Sequence, residues 1–204
     1  HPEGVAMYAA IDGLVTTTEK GKLNVFPVYE VNGDVDYSVG NIDFVGTVVI
    51  RGNVLTGFRV RAAGDIRVIG GVEGAEIEAD GSVEISGGII GYHKGFVKAA
   101  QNVKCSFIQD GNVIAGADVL VSQSIMHSQI KASNNVICEG TKGLIVGGSV
   151  QAGKKVVART VGNTMSTATN IEVGVLPELR DELTELRARL KQQTDSQDKT
   201  NKAL

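Results

Sequence analysis

The feature that most constrains this chain is an internal repeat running through its middle. One small residue per unit marks it: Gly46, Ala62, Ala79, Ala99, Ala115, Ala132 and Ala152. The spacings are 16, 17, 20, 16, 17 and 20 residues. Two positions before each mark stand Phe44, Val60, Ile77, Val97, Val113, Ile130 and Val150; four positions after stand Ile50, Ile66, Val83, Val103, Val119, Val136 and Val156. Both columns are apolar throughout. Their neighbours in the early units, such as Arg59, Arg61, Asp65, Glu76 and Glu78, are polar. Alternation of period two means strands with one buried face. A unit this short has no room for a helix between strands, but it suits one coil of a solenoid. Gly70-Gly71, Gly87-Gly88 and Gly147-Gly148 supply corners.

The expected fold is therefore all-β: a right-handed parallel β-helix with a short N-terminal β segment and a C-terminal α-helix. A β-sandwich also alternates, but rarely repeats one small-residue mark so regularly. A left-handed hexapeptide helix is disfavoured because no six-residue apolar period is sustained. The doubled rhythm suggests a 53-residue duplication, from Gly46 to Ala99 and from Ala99 to Ala152. Aromatics are only 4% and Trp is absent, so the core must be built from Val, Ile, Leu and Ala. The 26 glycines against 3 prolines suit tight turns in an ordered fold.

Three regions follow. Residues 1–40 form an N-terminal β segment or cap, with Asn32-Gly33 reading as a hairpin turn. Residues 41–175 form the β-helix. Residues 176–204 form a coiled-coil-like helix and a polar tail. There Leu176, Leu179, Leu183, Leu186 and Leu190 step by 3, 4, 3 and 4, an a/d seam. Pro177 suits the first helical turn. Two heptads are marginal alone and call for a partner surface. Thr160–Val175 and the N-terminal strands are expected to cap the ends of the β-helix.

No chemistry-bearing constellation stands out. Cys105 and Cys138 fall on the inward column, two coils or about 9.6 Å apart, too far for a disulfide. They read as small core hydrophobes. His127 and Ser128 are adjacent on a strand and point to opposite faces, so they cannot form a relay. His93 lies in a glycine-flanked loop. Lys142–Gly148 lacks the spacing and following helix of a phosphate-binding loop. Asp65 and Asp118 lie about 14 Å apart, too far to act as paired carboxylates. The expectation is a non-enzyme with no catalytic, cofactor or metal site. The net charge of −3 offers no general attraction to nucleic acid. No apolar run approaches the ~18 residues that insert into a membrane.

One outward column favours protein contacts. It reads Arg51, Arg67, Glu84, Lys104, Leu120, Ile137 and Val157, charged at one end and apolar at the other. Leu120, Ile137 and Val157, with Leu179, Leu183, Leu186 and Leu190 of the helix, are the candidate interaction residues. They would meet a protein partner or a second copy. Arg51, Arg59, Arg61 and Arg67 form a basic group that reads as a solvated face.

Several motifs resemble the bacterial flagellar assembly protein A family. They are Val31-Asn32-Gly33-Asp34-Val35-Asp36-Tyr37, Gly40-Asn41-Ile42-Asp43-Phe44, Gly64-Asp65-Ile66 and Gly70-Gly71-Val72-Glu73-Gly74-Ala75. Ser124-Ile125-Met126-His127-Ser128, Lys142 to Gly148, and Val161 to Thr169 leading into Glu172-Val173-Gly174 extend the likeness. It covers about residues 5 to 190. The resemblance implies a cytoplasmic β-helical protein with a coiled-coil extension and a role in flagellar assembly. Members usually carry a further N-terminal domain, which looks absent here; the chain opens at His1 rather than Met. A weaker resemblance links the coils to the C-terminal β-helix of septum-site determining protein C and to bactofilins, which act through protein surfaces. The leading expectation is a structural interaction scaffold. A carbohydrate-active β-helix enzyme and a bactofilin-like polymer are the alternatives.

Overall fold

A computed structural model describes residues 8–11, 13–17, 23–174, 182–183 and 185–194. Successive short strands pair in parallel with the strand one coil later, which makes a β-solenoid of about eight turns. Each coil visits three faces. The first face stacks Val28–Val31, Thr47–Ile50, Ile66–Val68, Val83–Ile85, then the start of Val103–Gln109 and of Val119–Ala132, then Asn135–Cys138 and Lys155–Ala158. The second face runs through Val35, Val54, Val72–Glu73, Ile89–Ile90, Ile108, Ile125, Ile145 and Val161. The third stacks Ile42–Phe44, Arg59–Ala62, Glu76–Ala79, Phe96–Ala99, Asn112–Ala115 and the ends of two longer strands, closing with Thr169–Val173.

Inward side chains from the three faces fill one core. Val60, Ile77, Val97, Val113, Ile130 and Val150 stand level with one another in successive coils and are buried. The alanine marks from Ala62 to Ala152 form a second inward file. Among the described residues the buried core is Val, Ile, Ala and Cys; it holds no leucine. β-Branched side chains fit a pleated surface.

The first unit is read two residues out of register in the sequence. Phe44, not Gly46, stands level with Ala62, and Ile42 heads the file that contains Val60. Likewise Val48, not Ile50, stands level with Ile66. Gly46 is a corner: its carbonyl accepts the N–H of Gly64 at 3.1 Å. A Cβ on Gly46 would collide with the Pro27 carbonyl. Its smallness therefore serves backbone approach at a corner, whereas the alanines are small because they face inward. With Phe44 as the true mark the first interval is 18 residues, so the 53-residue duplication does not extend to the first coil.

Both ends also differ from the expectation. Val28–Val31 runs parallel to Thr47–Ile50, so the first coil opens at Val28, ahead of residue 41, and Asn32-Gly33 is a corner rather than a hairpin. The antiparallel hairpin joins Leu14–Thr17 to Leu23–Phe26. Thr160–Val161 and Thr169–Val173 are not a cap. They pair with the seventh coil and form the eighth. Residues 182–183 and 185–194 are helical.

Polar side chains lock one coil to the next at the corner between third and first faces. Ser82 N–H donates to Asp65 Oδ1 at 2.7 Å, Asn102 N–H to Ser82 Oγ at 3.4 Å, and Asp118 N–H to Asn102 Oδ1 at 3.2 Å. Asn135 completes the ladder on Asp118 with both its N–H and its side-chain amide. Each acceptor satisfies a corner N–H that the strand ladder leaves without a partner. Asp65 and Asp118 thus each accept a backbone N–H of the next coil, three coils apart from one another.

Candidate interaction surface

Parallel stacking turns each outward position into a file along the rod. The file on the first face reads Glu30, Val49, Arg67, Glu84, Lys104, Leu120, Ile137 and Val157. Val49 takes the place the sequence reading gave to Arg51. Leu120, Ile137 and Val157 do stand level on three consecutive coils, and each is half-buried.

The charged half of this file is internally paired. Glu84 accepts from Arg67 Nε at 3.2 Å and from Lys104 Nζ at 3.0 Å. Lys104, by hydrogen bond and charge, and then Arg67 hold the Glu84 carboxyl below its usual range. Arg51 pairs with Glu30 across the first two coils, and Arg59 pairs with Glu76 at 2.6 Å. Arg61 stands between Asp43 and Glu78 in register. Arg51, Arg59 and Arg67 are thus each paired with a carboxylate one coil away.

Where charges give way to Leu120 and Ile137 the surface is concave. A groove of about 350 Å³ runs along the corner after the first face, with Leu120, Val121, Ile137 and Cys105 on its apolar side. Ser86, Ser106, Ser122, Glu84, Lys104 and Glu139 also line it. The groove was not legible in the sequence.

On the helix, Leu183, Leu186 and Leu190 are 48%, 52% and 64% exposed. They recur at 3 and 4, so they share a helix face. Leu179 lies outside the described residues, as does Leu176.

The two cysteines and Ser128 are structural. Cys105 and Cys138 are buried free thiols separated by Val121 in one inward file. Burial pushes Cys105 up to about 12 and Cys138 to about 11. Such thiols are unreactive while buried. Ser128 is fully buried; its hydroxyl donates to the Met126 carbonyl at 2.6 Å and accepts from the Gly111 N–H. His127 is exposed at the corner before it. Among the described residues no group of three or more His, Cys, Asp and Glu is placed to hold a metal ion. No helix there is long and apolar enough to cross a membrane.

No curated protein and no solved structure matches the chain. A family model does. The flagellar assembly protein A beta solenoid domain matches residues 27–204, starting one residue before the strand that opens the first coil. The match covers every coil described above, and on that footing the chain belongs to the flagellar assembly protein A β-solenoid family.

Proposed function

We propose that this chain is a non-enzymatic scaffold in flagellar assembly, a rigid rod that positions other proteins through fixed surface files. The observation that carries this reading is the change along the first face, from paired charges at Arg67, Glu84 and Lys104 to the apolar Leu120–Ile137–Val157 run beside an open groove. The leucine face of the helix is the second contact element. Stacked parallel coils supply stiffness, since each is hydrogen-bonded to its neighbours along three faces. The family's name supports the process. Two buried free thiols suit a reducing compartment, in keeping with a cytoplasmic site of action.

The test is association. Leu183→Asp and Ile137→Arg should each weaken self-association or partner binding in sedimentation velocity, with unchanged β content by circular dichroism. Unchanged association in both variants would remove these surfaces from the account.

End-to-end polymerisation is a second reading. Among the described residues Thr169–Val173 pairs only with the seventh coil, leaving a strand edge open to another chain. The charges oppose it: continuing the files into a new first coil would set Asp43 on Glu172 and Glu30 on Val157. The scaffold reading stands ahead for that reason.

A further inference from the structure

The corner between the second and third faces turns through a left-handed residue in every coil. Glycine does this in the first three, at Gly40, Gly57 and Gly74, and again at Gly147 and Gly162 in the last two, where Ser166 (φ 58°) adds a second left-handed residue to the last coil's connection. In the three coils between, side chains occupy it: Tyr92 and His93 (φ 48° and 56°), Asp110 (φ 48°) and His127 (φ 49°). Left-handed backbone costs a non-glycine residue energy that glycine avoids. Asp and His tolerate it better than most. Even so, the fold makes this turn with glycine in other coils, so the side chains here adopt a backbone conformation that glycine takes at less cost. Strain of this kind concentrates at functional sites.

The same side chains converge. His93, Asp110 and His127 line one open groove of about 360 Å³, together with Phe96, Asn112 and Gln129 from the adjoining third face. His93 Nε2 lies 3.6 Å from Asp110 Oδ1. His127 leans the other way, its Nδ1 over Gly147, where a Cβ would collide with the ring.

The chemistry of the lining narrows the ligand. Lys94 at the edge and Asp110 within offset one another, so neither an anion nor a cation is favoured as such. Two amides, a carboxylate and two imidazoles offer donors and acceptors in both senses. Phe96 is half-buried on the outward side, with Val97 inward, and gives a flat apolar wall. Adjacent hydroxyls on one edge and a C–H face on the other are what such a surface matches. We propose that this corner is a saccharide-binding site, separate from the groove at Leu120 and Ile137 and carrying no hydrolytic machinery.

The test uses the whole chain with cellobiose, maltose and N,N′-diacetylchitobiose as probes, and inorganic phosphate as the anionic control. The expected result is millimolar binding of at least one sugar by titration calorimetry, with shifts of the His93 and His127 ring protons in NMR. Asp110→Asn keeps a residue suited to the left-handed turn and should weaken binding at least fivefold. The double variant His93→Gly, His127→Gly should lose binding while its Tm is unchanged or higher, since glycine relieves the backbone. Failure of all three sugars to bind, binding undiminished in the double variant, binding of phosphate alone, or a lower Tm of the double variant would each overturn the proposal.

Discussion

Asp118 holds Asn135 across one coil by two bonds to a single carboxylate oxygen, 3.0 Å from the backbone N–H and 2.7 Å from the side-chain amide. The pair closes the corner ladder that begins at Asp65. Removing the acceptor leaves a half-buried corner N–H without a partner. Asp118→Ala should cost about 1–2 kcal/mol, the scale of an unsatisfied donor plus a charge-assisted bond. Asn135→Ala keeps the backbone N–H bond and should cost less, under about 1 kcal/mol. Urea denaturation of both variants reads the difference, and equal losses would deny the backbone role of Asp118.

The interior file makes a second prediction. Ile130 is 1% exposed and stands between Val113 and Val150 in the neighbouring coils. Ile130→Ala should destabilise by about 2–4 kcal/mol, because stacked coils cannot close around the void. Ile114 lies next to this file but faces outward, half-buried. Ile114→Ala should cost about 1 kcal/mol or less. Thermal unfolding of the two variants tests the inward and outward assignment directly.

Glu84 links three coils through Arg67 and Lys104. All three side chains are well exposed, so Glu84→Gln should cost only about 0.5–1 kcal/mol at low salt and less at about 0.5 M salt. The sign with pH follows from the lowered carboxyl. Its contribution is present above the ordinary value of 4.5 and is lost as pH falls through the lower folded value. The gap between wild type and Glu84→Gln should therefore shrink below pH 4.5, as read by denaturant unfolding at several pH values.

The two thiols act at the other end of the pH scale. Burial raises both above the ordinary 9.0, to about 12 for Cys105 and about 11 for Cys138. The unfolded chain thus loses its thiol protons first. Their stabilising contribution is whole below pH 9 and falls as pH rises toward the folded values, by on the order of 1 kcal/mol per thiol at pH 10. Cys105→Ala, Cys138→Ala should show a flatter decline between pH 9 and 10.5. In the native protein at pH 8, neither thiol should react with a thiol reagent until denaturant is added.

The solenoid was legible in the sequence because its alternation is dictated by burial and repeats coil after coil. From Val60 to Val150 the apolar column of the sequence is the apolar file of the structure. The first coil misled because a corner glycine and an inward alanine look alike as small residues, and only backbone pairing separates Gly46 from Ala62. Thr160–Val175 reads as a cap because its glycine, asparagine and threonine resemble a loop, yet Ile171 still stands on Val150. The apolar run Leu120–Ile137–Val157 could be read from spacing, whereas the groove beside it could not. The left-handed turns at His93, Asp110 and His127 carry no sequence signal at all. Only the register that sets Asp110 and His127 level with Gly147, visible once the coils are stacked, shows that a side chain there is unusual.

The claim beneath all of this is that each coil advances the rod by one strand spacing. Spin labels at Arg61 paired in turn with Lys131, Gln151 and Glu172 lie on one outward file, four, five and six coils on. Double electron–electron resonance should give backbone separations near 19, 24 and 29 Å, rising by about 4.8 Å per coil. Separations that fail to increase in that order, or that jump by the width of a second sheet, would contradict the solenoid and every surface derived from it.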